Sequence, residues 1–209
     1  MARKRLETTW VDVRQGDPDW YEARLGMPTA SRFSDVLARS TDNKQRNRYI
    51  YDLVGEKLTG SPAEDYSNFH MERGKAMEAE ARAMYAFERD VECKPVGFIR
   101  NGRAGASPDS LVGDDGLVEV KTKIPSLLIE CILRDEFPPE HKAQVQGQLW
   151  ISEREWCDIA VFWPGMPLFV RRAYRDEAYI AELARAVSIF NAEVDMVVDK
   201  IRAYEKRAA

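Results

Sequence analysis

The apolar positions of this chain keep two rhythms, one of three and four residues and one of two. Phe33, Val36 and Leu37 stand at helical spacing just after Ser31, a residue suited to capping, and a second helix is predicted from Asn47 to Leu58. A longer helical pattern covers Ser67 to Phe87, with Met77, Ala81, Met84, Tyr85 and Phe87 in phase. The rhythm then changes. Strands are predicted over Val96–Ile99, Gly105–Val112 and Leu117–Thr122. A helix follows over Glu140–Ile151, then two strands, Cys157–Trp163 and Leu168–Tyr174, around a Pro164-Gly165 turn. From Asp176 onward Tyr179, Leu183, Val187, Phe190, Val194, Val198 and Ile201 share one helical face. That stripe reads as core, with subunit contact as the alternative. Helices, then hairpin strands, then helices imply an α/β or α+β domain around a small central sheet.

Composition narrows the class. With 209 residues, 44% of them hydrophobic, the chain has material for one core and is too apolar for disorder, so a single domain over 1–209 is expected. No apolar run approaches the ~20 residues of a membrane span, and the start lacks the apolar stretch of a signal peptide. A cytoplasmic protein is expected. Cys93, Cys131 and Cys157 are dispersed without CxxC spacing, which argues against a disulfide framework, a zinc site or an iron–sulfur cluster.

Charge is less simple. The net charge of −4 would by itself argue against a nucleic-acid partner. Its distribution is uneven: residues 1–50 carry ten Lys and Arg against seven acids, and residues 176–209 carry five against seven. Arg39 to Arg48 form a polar, basic stretch that suits either a solvated loop or a phosphate-contacting one.

The stretch from Ser107 to Lys121 carries the chemistry. Gly113-Asp114-Asp115-Gly116 is a strong turn signal between two apolar-rich runs. A turn centred near Asp114 brings together residues whose numbers sum to about 228, hence Asp109 with Glu119. Glu119 and Lys121 then share one sheet face, while Val118 and Val120 point into the core. A surface ion pair is the bland explanation. A divalent metal site is the functional one, because Mg2+ takes hard oxygen ligands and leaves room for water and substrate phosphate. A lysine beside it, with a depressed pKa, could take a proton from the attacking water. A calcium-loop reading fails, since the third position of Asp109-Ser110-Leu111 carries no oxygen ligand.

Asp109, nine intervening residues, then Glu119-Val120-Lys121 is the pattern of the PD-(D/E)xK nucleases. Three further blocks occur in order: Gly16–Ser31, with Trp20 and Arg24; Gly74–Arg82, with Glu78; and Ala143–Trp150, with Gln144 and Gln146. With the hairpin they resemble the phage lambda exonuclease, or YqaJ-type viral recombinase, family over most of the chain. The resemblance implies a restriction-endonuclease-like core, a small mixed sheet flanked by helices. It implies a metal site of Asp109, Glu119 and the Val120 carbonyl for Mg2+, with Mn2+ able to substitute. Lys121 would orient or deprotonate the water, Gln144 would complete the catalytic set and Glu78 would support the metal. Arg24, Ser31 and Ser107 would bind the 5′-terminal phosphate, Trp20 would fix the direction of Arg24, and Met71 would wedge apart the terminal base pair. The implied activity is processive 5′-to-3′ digestion of one strand of duplex DNA to mononucleotides. The implied assembly is a homotrimeric ring, with a single-strand annealing protein as its recombination partner. Alternatives are an endonuclease or junction resolvase on the same core, or an inactive DNA-end-binding protein. One departure stands out. The family has an arginine six residues after the lysine, where this chain has Leu127, leaving Lys123, Arg134 or Arg172 to replace it.

Overall fold

A computed structural model describes residues 8–38, 43–63 and 69–208, with the side chains of 69–76 and 205–208 outside the described set. In chain order the elements are β1 (Thr8–Val11), α1 (Pro18–Arg24), α2 (Phe33–Leu37), α3 (Lys44–Thr59) and α4 (Phe69–Arg89). Next come β2 (Cys93–Lys94), β3 (Phe98–Asn101), β4 (Ala104–Ala106), β5 (Ser110–Val112) and β6 (Gly116–Thr122). The chain ends with α5 (Pro125–Arg134), α6 (Lys142–Ser152), β7 (Trp156–Phe162), β8 (Phe169–Tyr174) and α7 (Glu177–Ala208).

Two sheets result, the larger of them mixed. The larger sheet has the order β2-β5-β6-β7-β8, and a smaller antiparallel sheet has the order β1-β3-β4. The β5–β6 hairpin pairs Ser110 with Val118, Leu111 with Leu117 and Val112 with Gly116. Each pair sums to the expected 228. Strands β6 and β7 are parallel, and a parallel pair needs a crossover, which α5 and α6 supply. On one face of the large sheet, Ala81 and Tyr85 of α4 pack on Val118, Val120, Ala160 and Phe162. Helix α6 carries eight buried residues because it lies between the sheets and α7. Gly147 lets it approach closely: a Cβ there would sit 2.4 Å from the Phe33 ring.

Several expectations need correction. The predicted strand Gly105–Val112 is two strands in different sheets, broken at Ser107-Pro108-Asp109, where proline removes a ladder donor and the chain changes sheet. Ser31 sits in a short 3-10 turn without capping α2 through its side chain. Helix α3 starts earlier than Asn47, at Lys44, because Asn43 caps it by accepting from the Arg46 N–H at 3.1 Å. Thus Lys44 to Arg48, half of the basic stretch, are helical, while 39–42 lie outside the described residues, as does Ser67. Phe87 and Ile201 are exposed rather than core, although Leu183, Val187, Phe190, Val194 and Val198 are buried as the stripe predicts. Strands β1 and β2 and helix α5 have no counterpart in the predicted elements.

Candidate active site

Asp109 occupies the gap between β4 and β5, one position before the first β5–β6 pair. Its Oδ2 accepts a hydrogen bond from the Val120 N–H at 2.6 Å, which ties the two strands at the mouth of the hairpin. Gln15 braces this corner from outside, its Nε2 donating to the Pro108 carbonyl at 3.0 Å and to that of Val96 at 2.8 Å. Burial, followed by the charges of Glu119 and Glu78, pushes the Asp109 carboxyl well above its ordinary pKa. Two carboxylates are thus held together with too little positive charge.

Glu119 is 4% exposed, and its carboxylate is enclosed by donors. Lys121 Nζ donates to Oε1 at 2.8 Å and Gln144 Nε2 donates to the same oxygen. Gln148 Nε2 donates to Oε2 at 2.6 Å. The strand alternation therefore does what the hairpin pattern predicts: Glu119 and Lys121 meet on one face, with Val118 and Val120 buried on the other. Burial works against the Lys121 ammonium, but the Glu119 charge and hydrogen bond, with the Asp109 charge, together outweigh it and hold the lysine pKa above its ordinary value.

Glu78, on α4, is close enough to raise the pKa of Asp109 and forms an ion pair with Arg82 one turn on. Among the described residues no three His, Cys, Asp or Glu converge to hold an ion. The fit to a divalent cation rests on Asp109, Glu119 and the Val120 carbonyl, a hard-oxygen set of the kind that Mg2+ completes with water and phosphate. An excess of buried negative charge at Asp109 is the physical demand such an ion would meet.

From Asp109 a cleft of about 1260 Å³ runs past Glu78 and Arg82 to Trp20, Arg24, Ser31 and Arg32. Helix α1 presents the first two. The Arg24 guanidinium carbon lies 3.8 Å from the centre of the Trp20 ring, one helical turn back. Trp20 is in turn held by its Nε1, which donates to Ser107 Oγ at 2.9 Å and to the Gly97 carbonyl at 3.2 Å. Ser31 Oγ lies 3.3 Å from Thr29 Oγ1. Arg24 and Ser31 line the cleft directly, while Ser107 reaches this group through Trp20. Met71 falls on the first turn of α4, and its side chain is outside the described residues.

The candidates for the cation missing at Leu127 separate clearly. Arg172 is committed elsewhere: it pairs with the buried Asp158 at 2.8 and 2.9 Å and stacks on Trp156 at 3.5 Å. The exposed Arg134 pairs with Glu130 on its own helix. Lys123 pairs with Glu140 beside His141, whose pKa is lowered to about 4 by burial first and then by Lys121. Lys123 is therefore the cation on the catalytic side. Leu127 itself is 45% exposed.

Gln148 is a site residue that the sequence reading missed. Its signal was available, since it stands one helical turn beyond Gln144 and so shares its face. Gln146 instead serves structure, donating to the Tyr174 carbonyl and accepting from the Asp176 N–H.

A family model for the YqaJ-like viral recombinase domain matches residues 19–155. The chain belongs to this family. Among solved structures, an alkaline exonuclease (LHK-Exo) from Laribacter hongkongensis is 35% identical, with a TM-score of 0.84, over 92% of this chain and 100% of that one. The same enzyme in complex with dAMP gives 36% identity and a TM-score of 0.85. A phage related exonuclease from Haemophilus somnus shares the fold, at 12% identity and a TM-score of 0.66, over 84% of this chain and 96% of that one. A comparison with curated proteins gives no match. The fold is restriction-endonuclease-like, as the YqaJ-like resemblance implied. No helix among the described residues is long and apolar enough to cross a membrane.

Proposed function

We propose that this protein is a Mg2+-dependent exonuclease that degrades one strand of duplex DNA, 5′ to 3′, from 5′-phosphorylated ends. The observation that carries the proposal is one cleft with two unlike ends. At one end the cleft reaches Asp109, which is bonded to the strand that carries Glu119 and Lys121, with Gln144 donating to Glu119. Along the other, Arg24 is held against Trp20 beside Ser31. Guanidinium offers a rigid fork of donors suited to phosphate, and a hydroxyl adds a neutral donor. An enzyme acting from an end needs both features, whereas an endonuclease has no use for the second.

The neighbouring LHK-Exo is an alkaline exonuclease and has been seen with dAMP, a deoxynucleoside monophosphate. That supports release of mononucleotides here. When bound, Mg2+ supplies polarisation of a phosphate oxygen and a lowered water pKa. Asp109, Glu119 and the Val120 carbonyl would hold the ion. Lys121 then orients the attacking water or relays its proton, Glu78 supports the site's charge, and Gln144 holds Glu119 and the lysine in register. We assign Arg24, Ser31 and Ser107 to the 5′-phosphate, Ser107 acting through Trp20. A homotrimeric ring, processive digestion, Mn2+ substitution, a single-strand annealing partner and a cytoplasmic role in recombination belong to the same proposal through the family.

The test compares three substrates with Mg2+ and with EDTA: a 5′-phosphorylated linear duplex, its 5′-hydroxyl counterpart and a covalently closed circle. Mononucleotides from the first, fewer from the second and none from the circle are expected. Cleavage of the circle would establish the endonuclease instead, and DNA binding without hydrolysis would establish an inactive end-binding protein.

A further inference from the structure

A carboxylate has about four acceptor sites, two on each oxygen. At Glu119 three are taken: Lys121 and Gln144 donate to Oε1, and Gln148 donates to Oε2. Among the described residues one site is left, and it lies on Oε2. Gln148 is therefore the residue that decides where on that oxygen the open lone pair stands.

Its own placement is fixed from three sides. The side chain is 1% exposed. Turning the amide over would set Oε1 against Glu119 Oε2 at the 2.6 Å now spanned by a hydrogen bond, two acceptors in contact, so only one orientation is tenable. Behind it, the fully buried Cys157 on β7 brings its Sγ to 4.0 Å from Gln148 Oε1. The Gln148 carbonyl accepts from Ser152 Oγ at 2.7 Å within α6. A buried amide that makes its strongest contact with a carboxylate, where a leucine would fill the space, has a reason other than packing.

We propose that Gln148 is a positioning residue for the divalent ion, fixing Glu119 Oε2 so that its remaining acceptor site is left for the ion. The inference rests on the metal reading above. It differs from the role given to Gln144, which shares its oxygen with Lys121, because Gln148 alone controls Oε2. Loss of such an outer partner typically reduces metal affinity by about 10- to 100-fold.

The experiment titrates Mn2+ into the metal-free full-length protein by calorimetry, comparing wild type, Gln148→Met, Gln148→Asn and Asp109→Asn. Gln148→Met is expected to lose about 10- to 100-fold in Mn2+ affinity. Its metal-free melting temperature should fall by only a few degrees, for the donor lost to a buried carboxylate, and its binding of a 5′-phosphorylated duplex in EDTA should stay near wild type. Its hydrolysis should recover toward wild type as Mg2+ is raised, which a purely structural defect would not allow. Should Gln148→Met fail to fold, Gln148→Asn keeps the amide but withdraws it by one methylene and should lose affinity likewise. Wild-type affinity in either folded variant overturns the proposal. A flat titration for wild type, matching Asp109→Asn, overturns the metal reading itself and this inference with it.

Discussion

Asp109, one residue before β5, accepts the β6 Val120 N–H at 2.6 Å, so it is locked to the residue between Glu119 and Lys121. The hydrogen bond makes the hairpin register and the site geometry one fact. Removing the carboxylate should therefore remove catalysis without unfolding the hairpin, whose ladder continues from Ser110. Lewis-acid assistance is worth several kcal/mol, and Asp109→Ala should lower hydrolysis by at least about three orders of magnitude. Lys121→Ala should do likewise. Mononucleotide release and gel-shift binding of a duplex end, measured together, check this. Near-wild-type hydrolysis by either variant would mean that the site is misassigned.

Arg24 lies over Trp20, and Trp20 is pinned through Ser107. A charge-assisted hydrogen bond is worth about 1.5–3 kcal/mol. Arg24→Ala should then erase about 10- to 100-fold of any preference for a 5′-phosphate over a 5′-hydroxyl. Arg24→Lys should recover little, because a point charge does not replace a planar fork. Trp20→Ala should mimic it by freeing the arginine. Rates on the two kinds of end decide the matter, and an unchanged ratio would move the phosphate site elsewhere.

How legible was all this beforehand? The hairpin was legible because a GDDG turn leaves only one register in which the apolar residues stay inside, and Ser110 opposite Val118 obeys it. Other features depend on neighbours distant in sequence. β4 and β5 look like one strand because nothing but Pro108 marks the change of sheet. β1 has the exposed pattern of an edge, with Trp10 46% exposed, so alternation never signals it. Lys121 illustrates the same limit in chemistry: burial alone lowers a lysine pKa, and only the distance to Glu119 shows that the carboxylate wins. Net charge says little for a related reason, since it averages over places: the basic excess of residues 1–50 includes Arg24 and Arg32 in the cleft while acids sit in α7.

Asp158 is 2% exposed and is satisfied by Tyr85 Oη at 2.8 Å and by both arms of Arg172. Taking away one partner of a buried pair leaves a charge without compensation, which is strongly destabilising. Arg172→Met should cost about 3 kcal/mol in urea unfolding. It should leave the 5′-phosphate preference intact, because its guanidinium serves the fold. A variant of normal stability that has lost phosphate contact would instead return Arg172 to the list of substitutes for the missing arginine.

His141 sits between Lys121, Lys123 and Glu140, its buried Nε2 3.8 Å from Glu140 Oε1 and without a hydrogen-bond partner among the described residues. Burial, then the lysine charges, lowers its pKa from 6.5 to about 4. The sign follows from proton counting. Between those values the unfolded chain binds a proton that the folded protein refuses, so stability falls as pH drops from 6.5 toward 4 and levels off below it. Above 6.5 both states carry neutral imidazole and the effect vanishes. The full window amounts to about 3 kcal/mol. His141→Gln, which does not titrate, should flatten that part of the stability profile, with the two proteins diverging only on the acid side. Metal-free urea denaturation at pH 7.5, 6, 5 and 4 would read it directly, roughly spanning the range in which one buried proton site acts. Parallel profiles for the two proteins would show that acid loss of structure has another origin.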